Sequence, residues 1–174
     1  MTVSSNLVRL VYASRATFDL SDPGIVEPQV GRILMQSRRN NPRQAIGGVL
    51  HFGDGRFFQC LEGDRDAVNG LYNRIARDER HTDVQILSAN GVEHRYFPNW
   101  SMKYVPIEDQ IRRVVREHGL NQFDPYRFNE EVIDDLLAVC VVSEDPSGRA
   151  DQDYGDAASR LAHRPLWKRI LRLR

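Results

Sequence analysis

Gln59 sits in an apolar run with Phe57, Phe58 and Leu61. Its amide carries two N–H donors and a carbonyl acceptor. Leaving one of these unpaired in a core costs about 1–3 kcal/mol, so a glutamine placed there points to a polar partner. Tyr12 lies on the matching face of another strand and adds a phenol, which also donates and accepts. Asn40-Asn41 precede Pro42 at the end of a helix, and Arg74, Asp78 and His81 line the end of a second helix. Together these polar groups sit oddly for a plain core. Each also has a plain structural reading. Tyr12 can be an amphipathic core tyrosine, Asn40-Asn41 an ordinary helix end, and Arg74 and Asp78 a solvated i,i+4 pair. Trp100 and Met102 are two apart in an expected strand and should face the same side, as core or as a movable pair beside a ring.

The hydrophobic periods say which elements position these groups. Residues 7–13 alternate as a strand, with Val8, Leu10 and Tyr12 on one face. Pro28 suits the first turn of a helix that carries Val30, Ile33, Leu34 and Ser37 at helical spacing and stops at Pro42. Runs 46–52 and 56–62 are joined around Asp54-Gly55, a hairpin signal. A helix over 65–78, capped by Asp64, buries Val68, Leu71, Tyr72 and Ile75. Residues 83–89 and 100–105 read as further strands. The order is the ferredoxin-like α+β plan, β-α-β-β-α-β(β), a mixed sheet with two helices on one face. Phe58 and Cys60 point to the other face, which must also be covered. Ile107, Ile111, Val114 and Val115, ended by Gly119, and Val132, Ile133, Leu136, Leu137 and Cys140, capped by Asn129, supply a C-terminal helix pair for that face.

The 174 residues carry 24 basic and 24 acidic side chains, so net charge gives no case for bulk nucleic-acid binding. Two cysteines make neither a disulfide framework nor a zinc site, and no metal site is expected. No apolar run reaches the length of a transmembrane helix, and the start of the chain lacks the pattern of a signal peptide. A cytoplasmic location is expected. Residues 143–158 are rich in acid and the last sixteen residues hold only basic charges. The reading is a body of 1–105, a helical extension of 106–142, and an acidic linker with a basic amphipathic tail over 143–174. That tail could touch anionic lipid, nucleic acid or protein.

Five segments together resemble, in order and spacing, the BLUF family of blue-light sensors using flavin: Leu10-Val11-Tyr12-Ala13-Ser14, Ser37-Arg38-Arg39-Asn40-Asn41-Pro42, Phe57-Phe58-Gln59-Cys60-Leu61-Glu62-Gly63, Arg77-Asp78-Glu79-Arg80-His81 and Phe97-Pro98-Asn99-Trp100-Ser101-Met102. One departure is Ile46-Gly47-Gly48, where the family usually has Ile-Thr-Gly. The resemblance implies FAD, with FMN as the alternative, lying between the two helices over Tyr12 and Gln59. By the match, Asn40 pairs with the polar ring edge and Asn41 is the second choice. Ile33 and Ile75 sandwich the ring, Ser37 joins the set, Arg74 approaches the ribityl phosphate, and Asp78 and His81 complete that rim. In the family, light draws an electron from the tyrosine, here Tyr12. A proton follows through the glutamine, here Gln59, which is left rearranged and bonds the flavin carbonyl differently.

The resemblance implies a photoreceptor, not an enzyme. Its output is expected to run through the Trp100/Met102 strand to the C-terminal helices, and on to a separate protein partner or a homo-oligomer. Two rivals remain at this point: an acylphosphatase-like small hydrolase and a flavin-free interaction module on the same fold.

Overall fold

Asp54 and Gly55 both have positive φ, 49° and 73°, the conformation of a type I′ turn. That turn joins β2 (Gly47–Gly53) to β3 (Arg56–Asp64). In the computed structural model, which describes residues 6–106 and 109–145, this hairpin pairs through β3 with β1 (Leu7–Ala16), and β1 pairs with β4 (His81–Gly91). A two-residue strand, β5 (Lys103–Tyr104), runs parallel to β2. The sheet order is β4-β1-β3-β2-β5. Tyr12 lies directly opposite Gln59 on the central β1/β3 pair.

Two helices cover one face. Helix α1 (Pro23–Asn40) is capped by the Asp22 side chain, and α2 (Arg65–Ile75) by Asp64, which accepts from the Asp66 and Ala67 amides. Both use the short carboxylate to satisfy first-turn donors. Their apolar stripes meet Val8, Leu10 and Tyr12 of β1, Leu50 of β2, and Phe57 and Leu61 of β3. The other face is covered by α3 (Asp109–Glu117) and α4 (Glu130–Val142). These bury Val11, Val49, Phe58 and Cys60 under Ile111, Val114, Ile133, Leu136 and Leu137. The helix pair on the back of the sheet is thus present, with Asn129 capping α4 and Gly119 taking a positive φ. Ile107 lies outside the described residues, as does the chain after Asp145.

Several boundaries differ from expectation, each for a local reason. Helix α1 begins at Pro23, so Pro28 falls inside it. Past the first turn, the proline removes the bond to the Gly24 carbonyl, and its ring crowds that carbonyl. Helix α2 ends at Ile75, and the turn after it places Asp78, whose carbonyl accepts from His81 N at 3.0 Å.

The largest difference concerns Trp100 and Met102. They do not lie in a strand and do not share a face, because pairing begins only at Lys103. Trp100 packs into the core under α3 and α4, whereas Met102 packs with Tyr12, Leu50 and Leu61. The loop before β5 is held irregularly. Gly48 N donates to the Trp100 carbonyl at 3.0 Å, and the buried Glu62 carboxylate accepts from the amides of Tyr96 and Phe97. The same loop explains the family departure at Gly47, since a Cβ there would stand 2.5 Å from the Phe97 carbonyl oxygen and 3.0 Å from that of Trp100. Backbone fills the space that a threonine needs.

Of the stretch expected as linker and tail, only residues 143–145 are described. Ser143 and Asp145 are buried, because Asp145 finds a cation and an amide to bind.

Candidate functional site

Between α1 and α2, above the middle of the sheet, a cleft of about 350 Å³ opens onto Tyr12 and Gln59. Cofactor sites commonly run from about 300 to 1,000 Å³. Tyr12, Ile33, Ser37, Asn40, Asn41, Gln59, Arg74, Ile75, Asp78 and His81 all line it. The ten positions singled out from sequence as cofactor-binding are therefore brought together. Gln36, Arg43, Gln44, Leu71 and Arg80 line it too and were missed. Leu71 stands one helical turn before Ile75, Gln36 one turn before Asn40, and Arg80 within a quoted segment, so the signal was there in spacing.

The floor is a hydrogen-bonded line. The buried Tyr12 hydroxyl donates to Gln59 Oε1, and Gln59 Nε2 donates to the Met102 sulfur at 3.3 Å. Both ends of the amide are engaged, the carbonyl firmly and the NH₂ by a thioether, a weak acceptor. Burial raises the Tyr12 pKa far above that of a free phenol, and Tyr72 and Asp78 push the same way. The phenol therefore stays protonated and acts as a donor. Asn41 is buried and gives its Nδ2 to the Ser101 carbonyl at 2.8 Å. Asn40 is half-buried at the cleft wall.

The rim is ionic. Asp78 pairs with Arg80 at 2.5 Å and not with Arg74, and the hydrogen bond from Arg80 holds its carboxyl down at about 2. Two bridges cross the mouth: Arg74 Nη2 to Gln44 Oε1 at 3.0 Å and Arg80 Nη2 to Gln36 Oε1 at 2.8 Å. His81 Nδ1 meets Ser14 Oγ at 2.8 Å, and its ring lies against Phe57. Burial is the main reason its pKa falls to about 4, with Asp78 opposing and Arg80 assisting.

His51, on the other face, is likewise lowered to about 4 by burial, against a raising hydrogen bond to the Val105 carbonyl. Both imidazoles are neutral when folded and protonate below about pH 6.5 only when unfolded. Between pH 6.5 and 4 the unfolded chain thus binds more protons, and stability falls on acidification. The expected loss is on the order of 2 kcal/mol for each ring. Urea titrations at pH 7.5 and 4.5 measure it, and His81→Gln should flatten the slope.

Apolar walls from opposed helices, amides at one edge and arginines at the mouth suit a flat heterocycle that carries an imide edge and a phosphate. A family model described as sensors of blue-light using FAD matches residues 7–103. The chain belongs to this BLUF family.

A photoactivated adenylate cyclase subunit beta of Euglena gracilis is 36% identical over 125 residues, 66% of this chain. The chain spans only 14% of that relative's length. An Escherichia coli (strain K12) protein, a blue light- and temperature-regulated antirepressor, is 26% identical over 67% of the chain and 29% of its own length. The structure of BlsA in its photo-activated state superimposes with a TM-score of 0.74 at 32% identity, covering 80% of this chain and 97% of that one. Blue-light sensing with FAD is the function of this BLUF domain, and neither the hydrolase nor the flavin-free reading is favoured. BLUF domains signal to downstream partners. Among the described residues no helix is long and apolar enough to cross a membrane.

Proposed function

We propose that the chain is a cytoplasmic photoreceptor without catalysis of its own, switched by the line Tyr12–Gln59–Met102. The observation that carries this reading is Gln59, which is nearly fully buried and bonded at both ends in the cleft floor. Bound in the cleft, FAD supplies absorption of blue light and an acceptor for an electron. Tyr12 is the residue placed to donate, and its proton stands against Gln59 Oε1. Gln59 receives and returns that proton, and an amide can do both because it donates and accepts.

Ile33, Leu71 and Ile75 hold the ring and keep water out. Asn40 and Asn41 orient its polar edge, with Ser37 beside them. Arg74, Arg80, Asp78 and His81 form the phosphate end, which the Arg74–Gln44 bridge must open to serve. A rotated or tautomerised Gln59 presents the opposite group to Met102 and to the ring edge. Exchanging neutral hydrogen bonds is worth about 0.5–1.5 kcal/mol each. That biases a two-state element by about tenfold and still reverts in the dark.

Output goes to a separate protein partner or a second copy of this chain. Trp100, packed under α3 and α4, is the part of the same loop that the helix pair senses. The test is the absorption spectrum of the purified yellow protein before and after blue illumination. A reversible red shift is expected, and a colourless or unresponsive protein removes the reading.

A further inference from the structure

Met102 makes two polar contacts, one on each side. Its sulfur takes the N–H of Gln59 at 3.3 Å, and its carbonyl takes Nε of Arg38, from α1, at 3.0 Å. The same guanidinium reaches past it. Arg38 Nη2 binds Asp145 Oδ2 at 2.5 Å, and that oxygen also accepts the Tyr104 amide at 2.9 Å. The Asp145 side chain has no solvent exposure and that of Arg38 has 19%. One carboxylate oxygen thus ties together α1, β5 and the chain just after α4. Arg38 does not line the cleft.

A guanidinium is a rigid planar fork. Its Nε and Nη2 cannot follow separate movements of their two acceptors, so a shift of the Met102 carbonyl carries Nη2 off Asp145. A buried charge pair is also sensitive to geometry, since its attraction must offset the desolvation of both ions. Where α4 ends, the Lys103 ammonium holds the Val141 carbonyl at 3.1 Å, and Asp145 is the tie after that point.

We propose that Arg38 and Asp145 are positioning residues that couple the Gln59–Met102 bond to the segment leaving α4, so that in the dark the chain is tied down at Asp145 and light releases it. This deepens the photoswitch reading and rests on it. The output then starts at Asp145, where the described chain leaves α4. Because the coupling runs both ways, losing the clasp must be felt in the spectrum although Asp145 touches nothing in the cleft.

The test uses the full chain with FAD. Hydrogen exchange at Tyr104 and over residues 141–145 should quicken by about fivefold or more under blue light, the lower end of ordinary site-to-site coupling. Asp145→Asn should exchange fast in both states and keep the full red shift. It should also return to the dark spectrum several-fold more slowly, since the dark arrangement has lost a support, while Asp145→Glu returns close to the wild-type rate. A purely structural clasp would leave spectral recovery unmoved. In the wild-type chain, a normal red shift with equal exchange in light and dark overturns this coupling alone, and so does recovery of Asp145→Asn at the wild-type rate. No red shift in the wild-type chain overturns the photoswitch and the coupling together.

Discussion

Gln59→Leu is expected to stay yellow and lose the reversible red shift completely. Leucine occupies nearly the same space between Phe57 and Leu61, so the cleft keeps its shape and FAD its binding residues. What disappears is the amide. The Tyr12 hydroxyl loses its acceptor, the Met102 sulfur loses its donor, and no group remains at position 59 that can both take and give a proton. A variant of Tyr12 alone would leave Gln59 free to pair elsewhere, whereas this one removes the only group that touches both neighbours along the described line. The fold should also lose stability, because the buried phenol is left without its partner at about 1–3 kcal/mol. Difference spectra of dark and illuminated protein measure the first effect, and a denaturant titration the second. A normal shift in this variant would take Gln59 out of the mechanism, whatever its effect on stability.

The site was more legible in the sequence than its connections. Period-two alternation placed Tyr12 and Gln59 on one face, and strand register then set them opposite each other. Helical spacing placed Ile33, Ser37 and Ile75 on the stripes that face them. These are local rules, and the residues obey them. Trp100 and Met102 are different. Alternation assumes a regular strand, and here tertiary contacts from Glu62 and Gly48 hold the backbone before pairing begins. The two side chains consequently leave to opposite faces of the sheet. Position 47 shows the same dependence: a glycine there reads as a lost hydroxyl until the Phe97 carbonyl is seen in the space its side chain would need. Asp145 was hidden for a third reason. It sits in an acidic, turn-forming stretch, and nothing local reveals that Arg38, far away in sequence, is waiting for a carboxylate.

This division bears on how a signal leaves the cleft. Residues that hold a cofactor come from regular elements and are read from period. Residues that link the cleft to the rest of the chain come from irregular backbone, where one or two polar contacts decide the geometry. Trp100 and Met102 sit three and one residues before β5, and between them the loop passes from the back core to the front core. A shift of that loop is therefore registered on both faces at once, by α3 and α4 through Trp100 and by α1 through Arg38.

The loop owes its position to Glu62, and Glu62→Leu is expected to be the most destabilising single change, by about 3–5 kcal/mol. The carboxylate is wholly buried. It accepts Arg9 Nε at 2.6 Å, the Tyr96 amide at 2.9 Å and the Phe97 amide at 2.9 Å. The Arg9 guanidinium lies 3.4 Å over the Tyr96 ring. Removing the anion leaves an uncompensated cation with only 12% side-chain exposure and two amides without acceptors, each of which carries its own desolvation cost. Most of the loss belongs to the stranded charge, so Arg9→Met added to Glu62→Leu should restore part of it, while the two amides keep the double variant below wild type. Urea unfolding of the two single variants and the double variant measures the cycle. The same substitution frees the stretch that presents Met102 to Gln59, and the red shift should weaken even in molecules that remain folded. If Glu62→Leu unfolds within about 1 kcal/mol of wild type, the carboxylate is not what fixes this loop.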